Sequence, residues 1–243
     1  MDQLKYWINI SLLGICFFCI LGLGYAQNAL HFSSQKEIIT LRKADLTDRY
    51  TEGQMTTQVM IGGLLSDLHI GPCTDDLNLI QNNIRIGRML YSPHDEDGSF
   101  RGNMEAIFEW STSAITSDYG HIMVGPAILL RYNFVQPQWD FVPYVQVGAG
   151  IAYTDAYKDY SQRAIGQAFE FTPQAAVGTR ILINENWSLD FEVMFHHISN
   201  AGMSSRNLGV NQLGGFMGFT YFWENEENSK KLLPKSEDSS KED

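Results

Sequence analysis

The chain has 243 residues, of which 12% are aromatic and 21 are glycine, and its formal net charge is −11. Acidic residues outnumber basic ones 28 to 17. That balance argues against nucleic acid as a partner and leaves any contact with phosphorylated lipid to local groups.

The first residues read as an export signal. Lys5 precedes an apolar run from Trp7 to Leu23, and small residues follow at Gly24 and Ala26. This charged, apolar, small order predicts cleavage after Ala26. The alternative is an uncleaved anchor, since the run is nearly long enough to span a bilayer. Neither Cys16 nor Cys19 has a lipoprotein sequence ahead of it. After cleavage only Cys73 remains, so no internal disulfide is expected. Residues 27–56 have no clear period and read as a periplasmic arm, a plug or a disordered segment.

Residues 57–223 read as one all-β domain. Its eight predicted strands are Thr57–Ser66, Asn82–Tyr91, Met104–Ile115, His121–Val135, Val142–Asp155, Gly166–Ile183, Trp187–Asn200 and Asn211–Trp223. Turn-forming stretches such as residues 92–103 and 136–141 separate them. No later stretch approaches 18 apolar residues, so no transmembrane helix is predicted there. Residues 224–243 form a charged, serine-rich tail that is expected to be disordered.

Alternation within the strands carries the fold assignment. In the seventh, Trp187, Leu189, Phe191, Val193 and Phe195 share one face, while Ser188, Asp190, Glu192 and His196 share the other. The sixth sets Phe169, Phe171, Val177, Ile181 and Ile183 against Glu170, Thr172, Gln174 and Arg180. A water-soluble sandwich would alternate too. The strands are long enough for tilted membrane crossings, however, and the polar faces carry Arg131, Arg180, Glu105, Glu109, Glu170, Asp190 and Glu192. Both features favour an eight-stranded antiparallel outer-membrane β-barrel. Trp110, Tyr132, Tyr153, Trp187, Tyr221 and Trp223 are candidates for its interfacial girdles. The second strand fits least well, because Arg85 and Arg88 fall on opposite faces.

With an even strand count, both ends of the barrel domain lie on the periplasmic side, and the loop after strand seven faces outward. His197 and Ser199 then continue the lipid-facing series of Val193 and Phe195. Residues two apart on a strand lie roughly 6–7 Å apart on one face, within reach of a side-chain hydrogen bond. A serine hydroxyl needs a base to become a good nucleophile, and a neutral histidine can be that base. Asn211 starts the neighbouring strand and is placed to orient the imidazole. On spacing alone the His-x-Ser signal is weak, and a polar cluster at the membrane rim is the favoured explanation of these residues.

Other constellations point elsewhere or nowhere. His196 and His197 are adjacent on a strand, face opposite ways and are poorly placed to share a metal. Asp95, Glu96 and Asp97 lack the ligand series of a calcium loop and read as a solvated turn. Lys158, Arg163 and Arg206 lie in predicted loops and could meet phosphate, or be ordinary loop charges.

The stretch His196-His197-Ile198-Ser199-Asn200-Ala201-Gly202, followed by Asn207-Leu208-Gly209, closely resembles the lipid A 3-O-deacylase (PagL) family. That resemblance implies an outer-membrane serine esterase that removes an acyl chain from lipid A of lipopolysaccharide and needs no cofactor. Ser199 would be its nucleophile, His197 its base, and the Gly202 backbone with Asn207 its oxyanion donors. Asn200 and Arg206 are the expected substrate-binding residues.

The sequence departs from the family where a catalytic glutamate would stand, at Asn211. An amide can orient an imidazole, but only a carboxylate also stabilises the imidazolium. Three readings follow: a slower enzyme, another carboxylate in the role, or a barrel without activity. Glu192 is a poor substitute, being on the interior face and nearer the periplasm. The rival to an esterase is a non-catalytic barrel serving in adhesion, membrane integrity or lipopolysaccharide binding.

Overall fold

The computed structural model describes residues 49–66, 76–93, 98–137, 139–184 and 186–224. The signal segment, all three cysteines, residues 95–97 and the tail beyond 224 lie outside them. So does all of the expected arm except its last few residues.

The described residues form nine strands and one short 3-10 turn, Ala156–Lys158. The strands are β1 (Met55–Leu65), β2 (Leu79–Met89), β3 (Gly102–Ile115), β4 (Ile122–Phe134), β5 (Phe141–Thr154), β6 (Phe169–Phe171), β7 (Gln174–Leu182), β8 (Trp187–Ile198) and β9 (Val210–Phe222). All pairings are antiparallel, β1 pairs with both β2 and β9, and β4 pairs with β5. The sheet therefore closes into an eight-stranded barrel. β6 and β7 are two parts of the sixth crossing, since both pair with β5 in the same register. The interruption falls at Thr172-Pro173, where proline has no N–H to give to the ladder.

The observed second strand begins three residues earlier than expected, at Leu79. The difficulty with its two arginines resolves by depth. Arg85 points into the lumen, while Arg88 points outward near the end of the strand, at the rim that also carries Met55 and Phe222. A long cationic side chain at such a rim can reach water.

Alternation sorts the faces as the sequence indicates. Ile128, Val147, Val177 and Val193 are each more than half exposed on the outside. The mid-lumen is filled by ionised groups that neutralise one another. Arg85 donates to Glu109 at 2.6 Å and makes a bidentate pair with Glu192 at 2.9 Å. Arg180 donates to Glu105 at 3.0 Å, and Arg131 lies 4.1 Å over the Tyr144 ring. Each buried charge thus has an opposite charge or a hydrogen bond, as low dielectric requires. Apolar clusters close the lumen at both ends. Met60, Leu64, Met194 and Phe216 belong to one; Tyr50, Met89 and Phe222 belong to the other.

Aromatic pairs mark the rim where β1 begins and β9 ends. Trp187 and Tyr221 are 5.0 Å apart, as are Tyr132 and Phe134, and Trp139 stacks on Phe141. At the opposite rim Tyr153 meets Phe169 at 5.7 Å. Trp110 departs from the expected girdle. It stands in register with Ile84 and Pro126, in the middle of the outward band.

Candidate active site

His197 lies near the C-terminal end of β8, at the rim opposite the start of β1 and the end of β9. Its backbone N–H donates to the Pro173 carbonyl at 2.9 Å, so its peptide groups point toward the sixth crossing. Proline has no N–H to return, and His197 is held on that side by one ladder bond where two are usual. Toward β9 the pairing of His197 with Asn211 is then of the non-hydrogen-bonded kind, which brings side chains closest. The two side chains meet accordingly. His197 Nδ1 lies 2.5 Å from Asn211 Oδ1. With the amide oxygen turned to the ring, Nδ1 carries a proton and donates, and in the neutral imidazole the lone pair is then on Nε2.

Ser199 sits one pleat further on, half-buried like His197 and Asn211, and on the same outward face. Its backbone exchanges both bonds with Phe171, at 2.7 and 3.1 Å. No hydrogen bond joins its hydroxyl to His197 among those of the described residues. Gly209 stands across the strand pair from Ser199 and has φ of +69°. A Cβ there would lie 3.1 Å from His197 Cε1, so the absent side chain makes room for the ring.

His196 points the other way. It is buried in the lumen, with Nδ1 2.8 Å from Gln212 Oε1.

After Ser199 the chain turns sharply. Met203 N–H donates to the Asn200 carbonyl, and both central residues have positive φ: Ala201 at 53° and Gly202 at 81°. This is the sign pattern of a type I′ turn. Ala201 is the one non-glycine with positive φ among the described residues, a conformation that costs a Cβ-bearing residue about 1 kcal/mol. Such strain recurs at functional sites. Gly202 is exposed at the tip, and Asn207 is half-buried behind it, its Oδ1 accepting the Asn200 N–H at 2.9 Å. That bond fixes the carboxamide and leaves its Nδ2 to donate elsewhere.

Asn200 and Arg206, the expected substrate-binding residues, lie within the hydrogen-bond network of the loop. Asn200 is fully buried, with Nδ2 donating to the Arg206 carbonyl and Oδ1 accepting from Ser204 N–H. The Arg206 guanidinium donates to the carbonyls of Tyr157 and Asp159 at 2.6 Å and lies 4.5 Å over the Tyr160 ring. It clasps the β8–β9 loop to the β5–β6 loop. Both residues are occupied in shaping the loop, a role that residue type alone does not reveal. Lys158 and Arg163 are exposed on the β5–β6 loop at the same rim.

Two further contributors carry no signal in the sequence alone. Gly209 is invisible as a neighbour of His197 until the register is known. Pro173, read as part of an unbroken strand, is the residue paired against His197 on the other side.

The family model described as lipid A 3-O-deacylase (PagL) matches residues 90–220, which include every residue of this cluster. No curated protein matches the chain. Among solved structures, the outer membrane enzyme PagL aligns with 15% identity over 67% of this chain and 97% of its own, at a TM-score of 0.48. Neisserial surface protein A aligns with 11% identity over 70% and 96%, at 0.46. The outer membrane protein OprG from Pseudomonas aeruginosa aligns with 13% identity over 72% and 98%, at 0.43.

Proposed function

The chain belongs to the lipid A 3-O-deacylase (PagL) family, and from that premise we propose that it is a serine esterase releasing an ester-linked acyl chain from lipid A. The observation that carries this reading is the short contact between His197 Nδ1 and Asn211 Oδ1 beside Ser199. It presents Nε2 as a free base on the face where a lipid would lie.

In the proposed reaction, His197 Nε2 removes the Ser199 hydroxyl proton while Oγ attacks the ester carbonyl. Negative charge builds on the carbonyl oxygen, and the Gly202 N–H and Asn207 Nδ2 are its donors. Collapse breaks the bond to the sugar oxygen, which leaves with the proton from His197. Water then attacks the acyl-enzyme with His197 again as base, freeing the fatty acid and restoring Ser199. The open Ser199–His197 gap is compatible with this, since such bonds commonly tighten only when substrate is bound. Lys158 and Arg163 would meet phosphate groups of lipid A at the rim.

The position of the site at one rim suits an outer-leaflet substrate if the chain is exported and its signal cleaved after Ala26. The reading is tested by fatty acid release from purified lipopolysaccharide by the folded barrel. Release that disappears in Ser199→Ala, with the barrel intact, supports it. Equal release by both proteins contradicts it.

One observation favours a second reading. Asn211 cannot compensate the imidazolium as a carboxylate would, which fits a barrel that binds lipopolysaccharide without cleaving it.

A further inference from the structure

We propose that Glu170, a buried carboxyl group that the reaction does not touch, is the positioning residue that holds the oxyanion loop in place. The proposal rests on the esterase reading for its catalytic consequence, but not for its structural one.

Glu170 is the central residue of β6, next to Phe171, whose backbone pairs with that of Ser199. Phe171 and Ser199 face outward, so Glu170 and Asn200, one step along each strand, face one another inward. Both are buried, at 1% and 0% exposure. Glu170 Oε1 accepts the backbone N–H groups of Gly166 and Gln167, each at 3.3 Å. The Asn200 side chain adds a polar contact to the carboxyl group, while Oε2 closes no hydrogen bond among the described residues. Among the described residues no salt bridge involves it. A carboxyl group buried this way is costly, and apolar packing alone would not select it.

Its connections lead to the oxyanion donors by two short routes. Through Asn200 it reaches Asn207, whose Oδ1 takes the Asn200 N–H, and Ser204, whose N–H goes to Asn200 Oδ1. Through Gly166 it reaches Ser204 again, because the Ser204 hydroxyl donates to the Gly166 carbonyl at 3.3 Å. Removing the carboxyl group frees two N–H groups of the β5–β6 loop and the inner wall beside Asn200 at once. The β8–β9 turn, already strained at Ala201, loses the support that fixes Gly202 and Asn207.

The test compares the full folded chain in detergent micelles with Glu170→Ala and Glu170→Gln, by hydrogen exchange and by deacylation kinetics on purified lipopolysaccharide. In Glu170→Ala, amides of residues 161–168 and 199–209 should exchange about tenfold faster or more, with β1–β4 unchanged. Catalysis should fall in kcat by about tenfold or more while KM stays within about twofold, as expected when transition-state donors move. Glu170→Gln retains an acceptor for Gly166 and Gln167 and should restore both readouts. Unchanged exchange at 199–209 in Glu170→Ala would overturn the proposal, and so would acceleration spread over the whole barrel. If the natural chain fails to deacylate while the loop still loosens, the esterase reading fails and the positioning role of Glu170 stands.

Discussion

His197 and Asn211 face each other across β8 and β9 in a non-hydrogen-bonded pair, and the imidazole Nδ1 donates to the amide oxygen at 2.5 Å. The amide sets the tautomer and ring orientation that a general base needs, but it adds no negative charge. Orientation and charge compensation, usually supplied together by one carboxylate, are separated here.

That separation gives the first expected outcome. Asn211→Glu should raise kcat by about tenfold or more, because the carboxylate stabilises the imidazolium as Ser199 attacks. Asn211→Ala should lower it by about 10–100-fold through loss of ring orientation. Initial rates of acyl release from lipopolysaccharide read both. A glutamate variant no faster than the natural chain would show that charge at this position is not limiting.

Gly209 gives the second. A methyl group there would press on His197 Cε1 and force a side chain into φ of +69°. Gly209→Ala should cost about 1–2 kcal/mol of stability. It should also reduce activity about tenfold or more by displacing the ring. Thermal unfolding and rate measurements on one preparation separate the two effects. A variant with unchanged activity would mean that the ring is not in its working position.

Ala201 gives the third. Glycine tolerates the positive φ at the turn, so Ala201→Gly should relieve strain and raise stability by up to about 1 kcal/mol. The denaturation midpoint checks this. A lower midpoint would mean that the methyl group contributes packing that outweighs the strain.

The interior network gives the fourth. Glu192 carries a bidentate pair with Arg85 and accepts from the Tyr144 hydroxyl at 2.8 Å. Glu192→Leu leaves the guanidinium buried with only part of its compensation, at a cost of about 3–5 kcal/mol. Urea unfolding of the folded barrel should show it, with the outward face unaffected. An unchanged midpoint would mean that Glu109 and the Gln58 amide oxygen, which accepts from Arg85 at 3.0 Å, suffice for the guanidinium.

Much of this architecture is legible in the sequence because a barrel imposes a period of two on long strands. The outward Val193 and Phe195 and the inward Asp190 and Glu192 can be read off without coordinates, and so can the outward continuation to His197 and Ser199. The pairing of His197 with Asn211 follows once strands seven and eight are counted as neighbours. What alternation cannot carry is height and loop geometry. Trp110 is outward-facing as expected, but its distance from the rim depends on register. Asn200 and Arg206 look like ligand-binding residues beside a motif, and only the folded loop reveals a buried amide and a clasp on backbone carbonyls. Pro173 interrupts the sixth crossing without shifting its register, which no local pattern announces.

The central claim is that Ser199, activated by His197, cleaves an acyl ester of lipid A. Mass spectrometry of lipid A from a Gram-negative host tests it most directly, with the host producing the natural chain or its Ser199→Ala form as an assembled barrel. The expected result is loss of one hydroxyacyl chain with the natural sequence alone. Unchanged lipid A in both, in a host whose lipid A carries that ester, would contradict the claim and leave a barrel of this family without its chemistry.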